Sequence, residues 1–185
     1  LRYESLENAL NIAKADAQMT HPNANCILAS QFYMALAYEV QKNGGLWAYM
    51  RDSIEQALAR IVSVAQKTNT PTETLESVVK DALESNELPK CDGWDQGYWG
   101  VALKCVIWAL MNTESHADGI EQIIAQGGDT DTNACIAGAI LGLAYGVEEE
   151  YKEKVDQCDN SAGRPRPAIW STKDKLQGYI NKLFS

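Results

Sequence analysis

Gly127-Gly128-Asp129-Thr130-Asp131-Thr132-Asn133-Ala134 holds the densest run of hard-oxygen side chains in this sequence. Two carboxylates and two hydroxyls follow directly on two glycines, which permit left-handed backbone without steric cost. From Cys135 to Tyr145 the chain then carries no charge. The stretch therefore reads as a turn opening onto the N-terminus of a buried helix. Unpaired N–H groups and partial positive charge at such a terminus favour oxygen anions. Carboxylate and hydroxyl oxygens suit Mg2+, Mn2+ or Ca2+ better than zinc. In a regular helix Asp129 and Asp131 would point about 200° apart. They converge on one ion only across an irregular turn or a helix cap, which the glycines allow. The plain alternative is N-capping, where Asp or Thr accepts first-turn N–H bonds. Capping explains one such residue well and four in succession poorly.

Known aspartate motifs narrow the choice. An EF-hand loop beginning at Asp129 needs Gly at its sixth place and Glu at its twelfth. Ala134 and Ile140 stand there instead. A phosphatase-type nucleophile motif should follow a buried strand, whereas residues 120–126 read as helix and Asn133 fills the motif's fifth place. The absence of a GxxxxGK[ST] loop removes P-loop hydrolases. What remains for Asp129 and Asp131 is work on a metal ion or a phosphate.

The elements that must position this turn are helical. Apolar residues recur at three- and four-residue steps over 5–19, 25–42, 46–66, 72–85 and 115–126. Residues 97–111 are apolar nearly all round and belong in the core. Thr20-His21-Pro22-Asn23, Asn43-Gly44-Gly45 and the 86–96 loop are the breaks. Glu148 to Glu150 begin a solvated polar helix or tail, Ser161–Pro167 is a loop, and a last helix covers Ser171–Phe184. No alternating strand pattern occurs. The expectation is one all-α domain over residues 1–185, with Ile120, Ile123 and Ile124 facing inward.

Length and charge exclude other classes. A chain of 185 residues supports a real core, and a formal net charge of −9 argues against nucleic acid or anionic membrane as partners. No uncharged apolar run is long enough to span a bilayer. The five cysteines show no CxxC spacing. Cys26, Cys105 and Cys135 sit among aliphatic residues, as buried thiols of a reducing, cytoplasmic setting would. His116 falls in a helix's first turn and is expected at the surface. Trp94, Tyr98 and Trp99 are either core or a stacking face for a flat ring. Gly138 and Gly142 suggest close helix–helix approach.

The turn, followed by Ile136-Ala137-Gly138-Ala139 and Gly142, resembles the ADP-ribosylglycohydrolase family. Thr20-His21-Pro22, then Gly97-Tyr98 with Ala109-Leu110 and Asn112-Thr113, then Arg164-Pro165-Arg166-Pro167 agree with it in order. The resemblance implies an orthogonal bundle of α-helices that hydrolyses a glycosidic bond between ADP-ribose and a protein side chain or small acceptor. It implies two Mg2+ or Mn2+ ions, with Asp129, Asp131 and Thr132 among their ligands. His21, Gly97, Tyr98, Gly127 and Gly128 would line the substrate cleft, with Gly97 and Tyr98 near the adenine. The partner would be ADP-ribose or an ADP-ribosylated protein. The family's N-terminal Gly-Asp segment and Thr-Asp-Asp-Thr motif have no counterpart here. The chain, which starts at Leu1, is thus expected to be a C-terminal part whose partner is the N-terminal half of the same domain. The alternatives are a catalytically inactive ADP-ribose-binding or crystallin-like relative, and an unrelated helical module with one structural cation.

Overall fold

Side-chain caps fix where three of the helices begin. Ser5 Oγ accepts from the Asn8 N–H at 3.1 Å, Asn23 Oδ1 from Asn25 at 2.9 Å and Ser115 Oγ from Asp118 at 3.1 Å. A computed structural model describes residues 5–157 and Gly178. Cys158, the loop around Arg164–Pro167 and the expected helix over 171–184 lie outside the described residues. Within them run α1 (Leu6–Thr20), α2 (Ala24–Lys42), a 3-10 turn (Trp47–Tyr49), α3 (Met50–Gln66) and α4 (Glu73–Glu84). These are followed by α5 (Trp99–Asn112), α6 (His116–Ile124), α7 (Thr130–Tyr145) and α8 (Glu149–Gln157). No strand is present among the described residues, so the all-α expectation holds. One compact unit extends to Gly146 and a second begins at Val147. In the second, α8 carries the ion pairs Lys152–Glu149 and Lys154–Glu150, as its solvated sequence requires.

In the first unit α2 is the hub. It packs against α1, α3, α5 and α7, with Phe32, Ala35, Leu36 and Val40 fully buried. Each large side chain so buried contributes about 1.5–3 kcal/mol of transfer free energy. Helix α5 is buried on nearly every side, through Val101, Leu103, Cys105, Ile107 and Leu110. It touches α4, α6 and α7. The small residues of α6 and α7 bring those two helices close. A Cβ on Gly119 would lie 2.5 Å from Leu141 Cδ1, and one on Gly138 would lie 3.0 Å from Ile120 Cδ1.

That close approach corrects two expectations. His116 is buried, because it packs under α7, where its Nε2 comes within 3.5 Å of a Cβ placed on Gly138. Ile124 is exposed, since a nine-residue helix of this pitch turns only Ile123 fully inward and leaves Ile120 packed at the core's edge. The expected single helix over 46–66 is a 3-10 turn followed by α3, with Leu46, Trp47 and Tyr49 left exposed. The cysteines are redistributed: Cys105 is fully buried as expected, but Cys26 is only partly covered and Cys135 is exposed, whereas Cys91 is fully buried.

One polar contact joins α2 to α3 inside this apolar frame. Glu39 is fully buried, and its Oε1 accepts from Arg60 Nε at 2.5 Å, while Lys42 Nζ lies 3.4 Å from Oε2. A carboxylate there needs both donors, because stripping one leaves desolvated charge. Arg60→Ala is expected to destabilise the chain by about 1.5–3 kcal/mol, the range for hydrogen bonds to charged groups. Urea unfolding of the variant against wild type measures it.

Candidate active site

Gly127 and Gly128 both adopt left-handed backbone, with φ of 72° and 66°. At Gly128 the space is as restrictive as the dihedral. A Cβ there would lie 1.6 Å from the Cys91 carbonyl oxygen and 2.9 Å from Asp92 N. The Cys91–Asp92 peptide therefore lies directly against the turn. Cys91 is itself held in the core, its Sγ donating to Pro89 O at 3.3 Å and lying 3.5 Å from Cys105 Sγ on α5. Burial, and then the neighbouring Cys91 sulfur, push the Cys105 thiol up. This pair thus acts as apolar packing that moors the 86–98 loop to α5.

Beyond the glycines the turn is irregular, as the carboxylate spacing demanded. Thr130 N–H bonds to Gly128 O at 2.9 Å, and Asn133 N–H bonds to Asp129 O at 3.0 Å. Asp129 is the N-cap residue of α7, yet its side chain makes no capping hydrogen bond. Ser5, Asn23 and Ser115 spend their side chains on that task, whereas the Asp129 carboxylate remains available. It is half-buried, and Asp131 and Thr132 are exposed beside it. Helix α7 is not the buried helix its uncharged sequence suggested. Asn133, Ala137, Ile140 and Leu141 face the core, but Thr132, Cys135, Ala139 and Leu143 are exposed. The i, i+4 spacing of small and apolar residues leaves a stripe of α7 open that continues from Asp131.

Helix α2 supplies the wall next to this stripe. Tyr33 Oη donates to Ile136 O at 2.8 Å, tying α2 to α7 two turns from the aspartates. Burial pushes the Tyr33 hydroxyl up to about 12, helped by negative charge on Cys135. Tyr98 caps α5 through its backbone, and its ring folds over Gly100, where a Cβ would come within 2.4 Å of it. It also lies against Trp99 at 5.0 Å between centroids, tilted by 51°. Partial burial, then the charge of Cys26, raises the Tyr98 hydroxyl above its ordinary value. Gly97 is open, with nothing near its Cα face. His21 ends α1 as an exposed residue, Nδ1 2.9 Å from Thr20 Oγ1. Trp94, in the same loop as Tyr98, is almost wholly in water and is not a core residue.

The family described as ADP-ribosylglycohydrolase matches residues 1–183. This chain belongs to it. It is 36% identical over 58 residues to a protein of Acanthamoeba polyphaga mimivirus described as a candidate ADP-ribosyl glycohydrolase, L543, covering 31% of this chain and 18% of that one. It is 38% identical over 76 residues to the ADP-ribosylhydrolase ARH3 of Danio rerio, covering 34% of this chain and 20% of the relative. The matched stretches thus span about a fifth of each relative's length. No solved structure matches the chain.

In this family member the structure gathers Gly127, Gly128, Asp129, Asp131 and Thr132 at one helix start and sets the loop of Gly97 and Tyr98 against it through Cys91 and Asp92. Sequence reasoning missed Asp92, whose Cβ lies 3.7 Å from a Cβ placed on Gly127, and Tyr33, whose hydroxyl anchors α7. Neither sits in a recognisable motif. Among the described residues no three His, Cys, Asp or Glu side chains converge closely enough to hold an ion. The donor set nonetheless fits a hard divalent cation in kind: an uncapped carboxylate, a second carboxylate and a hydroxyl at a helix start.

Gly128→Ala should cost about 2–5 kcal/mol, summing left-handed strain and overpacking, while Gly127→Ala costs about 1–2 kcal/mol from strain alone. Thermal melts of the two variants compare them. Because folding raises the Tyr33 hydroxyl, its contribution to stability is complete below pH 10 and is lost as pH rises toward 12. Tyr33→Phe should flatten the alkaline arm of the stability–pH curve while lowering neutral stability by about 1 kcal/mol. Denaturant titrations across that range read both effects.

Proposed function

We propose that this chain contributes to a metal-dependent hydrolase that cleaves the glycosidic bond between ADP-ribose and a protein side chain or small acceptor. The observation that carries the reading is the Asp129 carboxylate. It stands at the start of α7, does not cap it, and has Asp131 and Thr132 within the same turn. Asp129, Asp131 and Thr132 would hold Mg2+ or Mn2+. Such an ion, when bound, supplies Lewis-acid stabilisation and orients the sugar diol. The remaining ligands of a two-ion site are expected from the N-terminal half of the same domain.

The other residues of the chain bind and orient. The ring of Tyr98, propped on Gly100 and braced by Trp99, offers an aromatic face for adenine. Gly127 would let a substrate approach the backbone closely, since it carries no side chain, while Gly128 lets the Cys91–Asp92 peptide close against the turn. Free N–H groups of the first turn of α7 favour the negative charge of a diphosphate. His21, with Nδ1 on Thr20 Oγ1 at the α1–α2 break, would offer its other ring nitrogen to the substrate.

The alternative is a catalytically inactive relative. On that reading the protein binds ADP-ribose, or serves structurally, without turnover. Incubation of a chain carrying both halves of the domain with an ADP-ribosylated protein separates the two. Release of ADP-ribose that needs Mg2+ or Mn2+ and stops with chelator supports hydrolysis; ADP-ribose binding without release supports the inactive relative. Asp131→Ala is expected to abolish release while leaving the melting temperature near wild type. Undiminished turnover at saturating Mg2+ would remove Asp131 from the ligand set.

A further inference from the structure

Asn133 is 2% exposed, and its Nδ2 is the one buried side-chain nitrogen or oxygen among the described residues without a hydrogen-bond partner. A buried amide left unpaired costs about 1–3 kcal/mol. Native structures rarely keep such a group unless a water, an ion or a ligand-bound neighbour satisfies it. Its place in the helix says what that is. Asn133 N–H bonds to Asp129 O at 3.0 Å, so the two residues lie one turn apart on the same side of α7. Helical side chains lean toward the N-terminus, which directs the Asn133 amide at the turn that carries Asp129. One turn above an unspent carboxylate thus sits an unspent donor.

We propose that Asn133 is a positioning residue: its Nδ2 donates to the Asp129 carboxylate oxygen left over when the other is drawn onto a divalent cation. This rests on the metal reading above and adds to it a residue that does not touch the ion. Ligating carboxylates are themselves held by hydrogen bonds, and removing such a partner typically weakens the metal about 10–100-fold. The orphaned amide of the free protein is then the cost of keeping the donor ready.

The test is Mn2+ binding by calorimetry to a chain carrying both halves of the domain, together with melting of the metal-free protein. Asn133→Leu removes the donor at similar volume. It should leave the metal-free melting temperature unchanged or raised, since an unsatisfied amide is gone, while the Mn2+ dissociation constant rises about 10–100-fold. Asn133→Ala serves as the second variant should leucine misfit. An unchanged Mn2+ affinity in a folded variant overturns the role of Asn133 and leaves the metal reading standing. A wild-type chain that takes up no Mn2+ overturns both.

Discussion

No side chain can be placed at Gly128, because the Cys91 carbonyl occupies the space a Cβ would need. The rest of the candidate site depends on that contact. It couples two segments that are far apart in sequence, the 86–98 loop and the start of α7, through backbone alone. Cys91 transmits the position of α5 to the turn, since its sulfur is packed on Cys105 in the core. Tyr98, the next element of the site, is fixed by the same loop and the same helix. The geometry of the aspartates is therefore inherited from the most buried helix of the fold and not from local turn preferences.

Much of this was legible in the residues. The helical segments emerged because apolar periodicity and breaker residues agree, and the caps Ser5, Asn23 and Ser115 sit where those signals placed helix starts. The aspartate turn was legible because glycine and hard-oxygen chemistry coincide there. What was not legible depends on which neighbour covers a face. An uncharged run such as Cys135 to Tyr145 cannot report that one stripe of it is open to water. His116 looked exposed by its place in a first turn, yet Gly138 on α7 lets that helix close over it. Cys26 and Cys135 were misassigned for the same reason, whereas Cys105 is buried as expected: burial followed tertiary contact, and the buried Cys91 sits in a loop whose composition is polar.

The site combines rigid and permissive parts. The turn is locked by Cys91, and α7 is tied to α2 by the hydroxyl of Tyr33. The groups that face outward, Asp131, Thr132 and the stripe through Cys135, carry no such restraint and are free to meet a ligand or a covering segment. This division suits a site that must hold some groups fixed beside a molecule that enters and leaves.

Trp94 stands apart from this scheme. It is 98% exposed, one loop turn from the ring of Tyr98, and buries nothing. Folding stability therefore exerts no selection on it: replacing it removes no packed surface and opens no cavity. Drift at this position is limited only by solubility and by whatever the loop meets in solution. One of the protein's five tryptophans is thus also among the side chains least constrained by its fold, so its identity can vary with the molecules that reach the loop.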